Sequence, residues 1–110
     1  MAIKANLVID QGTSFSATVD VTDTGGNPFN LTGYTTAAQM RKNYNSSIAV
    51  TFGTSHNNIY GAITLVLTAA NTAVLEPGRY MYDVEITSGS GTVTRVVEGM
   101  VTVTPGMTRI

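Results

Sequence analysis

The chain contains no cysteine and no tryptophan, one histidine and three prolines, and only 12% of its residues are charged. Each shortage removes a class of function. Without cysteine there is no disulfide, no thiolate nucleophile and no sulfur ligand for zinc, so stability rests on packing, hydrogen bonds and association. A single histidine, His56, leaves a metal set or a nucleophile–base triad without its usual parts. Six Lys and Arg stand against seven Asp and Glu for a net charge of −1. The basic residues are scattered, so the footprint of phosphate neutralisation is missing and nucleic acid is not an expected partner. No run approaches the ~18 apolar residues of a membrane span, and Met1-Ala2-Ile3-Lys4 does not open a secretory signal. The expectation is a chain made in the cytoplasm, with no membrane partner and no cofactor.

What is present is a β-protein's composition. In 110 residues, 43% are hydrophobic, enough for one core, and a single domain over residues 1–110 is expected. Thr, Val, Gly, Ser and Asn fill the space left by charge, the first two suiting a pleated surface and the others turns.

Alternation with period two recurs along the chain. Ile3, Ala5, Leu7 and Ile9 alternate with Lys4, Asn6, Val8 and Asp10, predicting a strand over residues 3 to 9. Phe15, Ala17, Val19 and Val21 mark a second strand, stopped by the turn residues at 23 to 28. Residues 34 to 42 read as a third, with helix as the alternative because Ala-Ala-Gln-Met-Arg-Lys has good helix propensity. Ile48, Val50 and Phe52 form a short fourth strand between polar breaks at 43 to 47 and 53 to 58. Residues 59 to 67 give a fifth. A short helical turn near residues 69–75 follows, capped by Thr68 and ended before Pro77-Gly78. Residues 79 to 87 and a partner through Val93, Val97, Val101 and Val103, bulged near Gly99, flank a Ser88-Gly89-Ser90-Gly91 hairpin loop. The fold class expected is all-β, an immunoglobulin-like sandwich of about seven antiparallel strands, with a closed small barrel as the competing architecture.

Chemistry is thinly represented. His56 reads as a loop residue. Asp20, Asp23 and Asn27 cluster oxygens without the spacing or terminal Glu of a calcium loop. Asp83 and Glu85 share a strand face where cross-strand partners such as Arg95 and Glu98 are a simpler use than acid–base catalysis. The Ser88–Gly91 loop lacks the Lys and following helix of a phosphate loop. Asn30-Leu31-Thr32 and Asn45-Ser46-Ser47 match the glycosylation sequon by chance. Alternating tyrosines fit sheet packing better than sugar stacking, and Tyr44, in a polar loop, is the best aromatic for a contact. No catalytic, cofactor or metal residue is assigned. The interface candidates are Asn27, Phe29, Tyr44, Asn45, His56, Met107, Arg109 and Ile110, with the first strand added if it is an edge.

Glu76-Pro77-Gly78-Arg79-Tyr80 resembles the acidic-x-Gly-x-Tyr signature that opens the sixth strand of immunoglobulin-like domains, which implies that Tyr80 ties that strand to the preceding corner. Further stretches are similar to small virion structural proteins of tailed phages, of the cyanophage type, and to the N-terminal domain of phage baseplate upper proteins. They are residues 5 to 12, Asn30-Leu31-Thr32-Gly33-Tyr34, residues 78 to 84 and residues 93 to 105. That resemblance implies a non-enzymatic virion component, either capsid decoration or cement or a tail or baseplate accessory subunit. Its partners are then other virion proteins or further copies of itself. A host-surface or glycan-binding module is the alternative, and an enzyme comes third.

Overall fold

Period-two alternation becomes nine strands and one short helix in the computed structural model, which describes residues 3–22, 25–42, 49–57 and 59–106. The strands are β1 (Ile3–Lys4), β2 (Leu7–Asp10), β3 (Phe15–Asp20), β4 (Thr35–Arg41), β5 (Val50–Thr51), β6 (Gly53–Asn57), β7 (Ala62–Leu67), β8 (Gly78–Thr87) and β9 (Val93–Thr104). The helix α1 (Ala69–Ala73) lies between β7 and β8. The larger sheet has the order β1-β9-β8-β4-β5 with β2 also on β9, and the smaller sheet is β3-β7-β6. Three strands facing a sheet built on β4, β8 and β9, with the first strand beside the last, is the arrangement of an immunoglobulin-like sandwich. Inward residues from both sheets fill the space between them, and Ile9, Met40, Ile63, Leu65, Val84 and Val101 are fully buried.

Several expectations are corrected. The strands are not all antiparallel, because β1 and β2 run parallel to β9, pairing Ile3 with Val97 and Leu7 with Val101. The single first strand is broken at Ala5 and Asn6, where the Asn6 Oδ1 accepts from the Met100 N–H at 3.1 Å. Gly99 allows this approach, since a Cβ there would run into the Ala5 carbonyl. The bulge therefore sits elsewhere: the β8–β9 register shifts between Val84 and Glu85, which face Val97 and Arg95. Val96 is the extra residue, and both it and Val97 are buried.

Of the expected fourth strand, Ile48 lies outside the described residues, and only Val50 and Thr51 form a strand. β5 pairs with β4, Phe52 turns the chain inward, and residues 53 to 57, expected as a loop, form β6 against β7. Composition hid this, because Gly-Thr-Ser-His-Asn has little apolar pattern and is held by its backbone ladder. The fifth strand starts at Ala62, because Asn57 Oδ1 accepts from the Ile59 and Tyr60 N–H groups and makes residues 59 to 61 a turn. The helical alternative for residues 34 to 42 gives way to β4, whose buried Ala38 and Met40 keep the strand period.

Around α1, Thr68 Oγ1 accepts from the Asn71 N–H at 3.2 Å as the helix cap. Thr72, fully buried, accepts from the Gly12 N–H at 3.1 Å and donates to the Thr13 carbonyl at 2.7 Å. Gln11 donates to the Leu75 carbonyl at 2.8 Å and accepts from the Gly106 N–H at 3.0 Å. These side chains seal one end of the sandwich.

Candidate interaction face

The outer face of the larger sheet brings charged and exposed apolar side chains together. Strand alternation sends Met81, Asp83 and Glu85 of β8 outward while Tyr80, Tyr82, Val84 and Ile86 go inward. Register then sets the neighbours. Arg41, Met81 and Met100 lie on one rung, Gln39, Asp83, Glu98 and Lys4 on the next, and Ala37, Glu85 and Arg95 beyond. Val8, paired with Thr102, stands diagonal to Met100 on the same face. Val8, Met81 and Met100 are all exposed, at 62%, 40% and 42%. They form an apolar strip beside the cations Lys4, Arg41, Arg79 and Arg95 and the anions Asp10, Asp83, Glu85 and Glu98.

Arg95 joins two of the carboxylates, with Nε 3.2 Å from Asp83 and Nη1 3.5 Å from Glu98. Glu85 stands directly opposite Arg95, yet the guanidinium turns along β9 and diagonally to β8 instead. The hollow beside these residues is lined by Asn6, Gly99 and Tyr82 among others. Charge here is balanced, so the face suits a mixed polar and apolar partner rather than a polyanion.

Two buried tyrosines brace the strands beneath it. The Tyr80 hydroxyl donates to the Glu76 carbonyl at 2.9 Å, forming the corner at the start of β8. Lys42 lies over the Tyr80 ring at 5.5 Å and pairs with Glu76 at 3.0 Å, and that hydrogen bond, with the carboxylate's charge, raises the Lys42 pKa. The Tyr82 hydroxyl donates to the Ala5 carbonyl at 2.7 Å, across the break between β1 and β2. Burial pushes its pKa above the ordinary 10.0.

Three of the interface candidates, Asn27, Phe29 and His56, lie among the described residues. Asn27 is exposed in the turn that brings Thr22 opposite Pro28, while Phe29 is half-buried and packs edge-on against Tyr34 at 5.5 Å. His56 is half-buried on β6 opposite Ile63, not in a loop. Tyr44, Asn45, Met107, Arg109 and Ile110 lie outside the described residues. The first strand is an edge, as its contact role required. Sequence reasoning passed over Val8, Met81 and Met100. The available signal was an apolar residue on the polar side of an alternation, but without register the three stay unconnected. It also missed Tyr60, 66% exposed in the β6–β7 turn. Among the described residues no group of three or more His, Cys, Asp or Glu is placed to hold a metal ion.

No protein-family model matches the sequence, and no curated protein matches it. Solved structures do. An internalin-like protein of Listeria monocytogenes is similar at 21% identity with a TM-score of 0.50, over 94% of this chain and 28% of that one. The major subunit of the type I aggregative adherence fimbriae of Escherichia coli is similar at 13% identity with a TM-score of 0.39, over 90% of this chain and 89% of that one. The chain spans less than a third of the internalin-like protein, and that likeness is one of fold: an all-β, immunoglobulin-like sandwich.

Proposed function

We propose that this chain is a non-enzymatic structural component of a tailed-phage particle, working by protein–protein contact as a capsid decoration or cement protein or as a tail or baseplate accessory subunit. The observation that carries the contact role is the outer face of the larger sheet, where Val8, Met81 and Met100 sit exposed among Arg41, Arg95, Asp83 and Glu98. An apolar centre with a charged rim, enriched in Met and Arg, is the anatomy of an interface. The particle setting rests on the sequence resemblance to virion proteins. A rigid sandwich loses little freedom on docking, and many copies on a symmetric particle turn a weak contact into a durable one. Virion proteins are then the partners, with no nucleic acid, membrane or cofactor.

Antibody labelling of source particles by electron microscopy tests the setting. Label over the head supports decoration or cement, label at the tail tip supports a baseplate role, and absence from intact and disrupted particles overturns the reading. The face is tested by the pair Met81→Glu and Met100→Glu, both solvent-exposed changes. Incorporation is expected to fall while the thermal melt stays close to wild type. Normal incorporation of a folded double variant removes the face from the proposal.

A further inference from the structure

The first strand pairs with β9, and among the described residues β3 is left as an outer strand of the smaller sheet. Among the described residues β3 pairs only with β7, in an unbroken register from Phe15 opposite Leu67 to Asp20 opposite Ala62. Just beyond it the Val21 N–H donates to the Gly61 carbonyl at 2.9 Å, so Val21 faces the β7 side. By period two the backbone groups of Phe15, Ala17 and Val19 face β7, and those of Ser16, Thr18 and Asp20 point away. No described group bonds those outward N–H and C=O groups.

Other edges are guarded. β1 and β2 are short and interrupted at Ala5 and Asn6, β5 has two residues, and β6 sends the Thr54 hydroxyl to the Thr36 carbonyl at 3.1 Å. β3 has no proline, no bulge and no basic residue, and its one charge, Asp20, is its last residue. Such an edge is a template for another strand. Below it the core is thin: Ala5, Leu7, Phe15 and Ala17 are only half-buried.

We infer that β3 pairs antiparallel with β3 of a second copy of this chain, about a two-fold axis at Thr18, joining the two small sheets into one. The sequence is self-complementary in that register. Thr18 faces Thr18 and Ser16 faces Asp20 on the outer side, while Ala17 faces Val19 and Phe15 faces Val21 on the core side. About six backbone hydrogen bonds form. The two Asp20 carboxylates end up about 14 Å apart along the strand, at four residues of ~3.4 Å. That exceeds the screening length of ~8 Å at physiological salt, so repulsion does not oppose the pairing. The pairing consumes the longest open edge among the described strands, so assembly stops at a dimer. It holds whether or not the chain is a particle component.

Sedimentation of the wild type across about 1 μM to 1 mM, the range of weak interfaces, tests the inference. A concentration-dependent dimer is expected, and a monomer throughout overturns it. Thr18→Val keeps the N–H and should keep the dimer. Thr18→Pro removes an N–H that β7 does not use and should lose it. Thr18→Lys and Thr18→Glu should each be monomeric alone, through like charges facing across the axis, and should form a dimer when mixed. The charge pair decides even if the proline variant fails to fold. A dimer that survives both charges, or a mixture that stays monomeric, overturns the inference. So does hydrogen-exchange protection of Ser16, Thr18 and Asp20 in a monomer, which would put another part of the chain on the edge.

Discussion

The larger sheet fastens its first strand to β8 and β9 with side chains at the break between β1 and β2, while among the described residues the smaller sheet leaves β3 unpaired on its outer side. At the break between β1 and β2, Tyr82 holds the Ala5 carbonyl, Asn6 holds the Met100 N–H and Gly99 makes room. At β3 the comparable interactions go to the face instead of the edge, as in the Thr18 to Thr64 hydroxyl contact at 3.0 Å. The outer faces differ in the same way. The larger sheet carries Lys4, Asp10, Arg41, Arg79, Asp83, Glu85, Arg95 and Glu98, whereas the smaller shows mainly Ser and Thr with Asp20 as its charge.

The comparison breaks most visibly at the centre of the smaller sheet. Leu65→Ala in β7 empties a fully buried site and should cost about 2–5 kcal/mol in denaturant unfolding, with both sheets melting together. Separate transitions for the two sheets would contradict one shared core. Thr72→Val leaves the Gly12 N–H and Thr13 carbonyl unpaired and should cost about 1–3 kcal/mol, whereas Thr72→Ser should recover most of it.

The guarded edge offers sharper contrasts. Gly99→Ala drives a methyl into the Ala5 carbonyl, at a cost of about 1–3 kcal/mol. Amide exchange should quicken across residues 3 to 10 and stay unchanged in β7, and the reverse pattern would refute the role given to Gly99. Tyr82→Phe removes one hydrogen bond, worth about 1 kcal/mol. Its pH signature is separate. The hydroxyl's pKa is raised in the folded state, so its contribution is intact below about pH 10 and is lost as pH climbs through the folded value. Wild-type stability should therefore fall more steeply than that of Tyr82→Phe in an alkaline titration. Least affected should be Arg95→Ala, whose partly exposed ion pairs are worth about 0.2–1 kcal/mol and fade with added salt.

Much of the fold was legible, and the interaction face far less so. β3, β4, β8 and the capped α1 follow from alternation and a Thr cap, since those signals lie within a few residues of one another. β6 was not legible, because its Gly-Thr-Ser-His-Asn sequence pairs through backbone groups that every residue carries. Met81 and Met100 are nearly twenty residues apart in sequence, and only the β8–β9 register, shifted by Val96, puts them opposite each other.

The sequence by itself determined which residues face the core: side chains alternate with period two, and Ile9, Val19, Met40, Leu65, Val84 and Val101 are buried as that period requires. It also marked Tyr80 for its corner. Tertiary structure alone decided which strand lies beside which, that the first strand joins β9 in parallel, and that β3 is left open. Pairing is made by N–H and C=O groups common to all residues, so the choice among partners is settled only when the whole core packs.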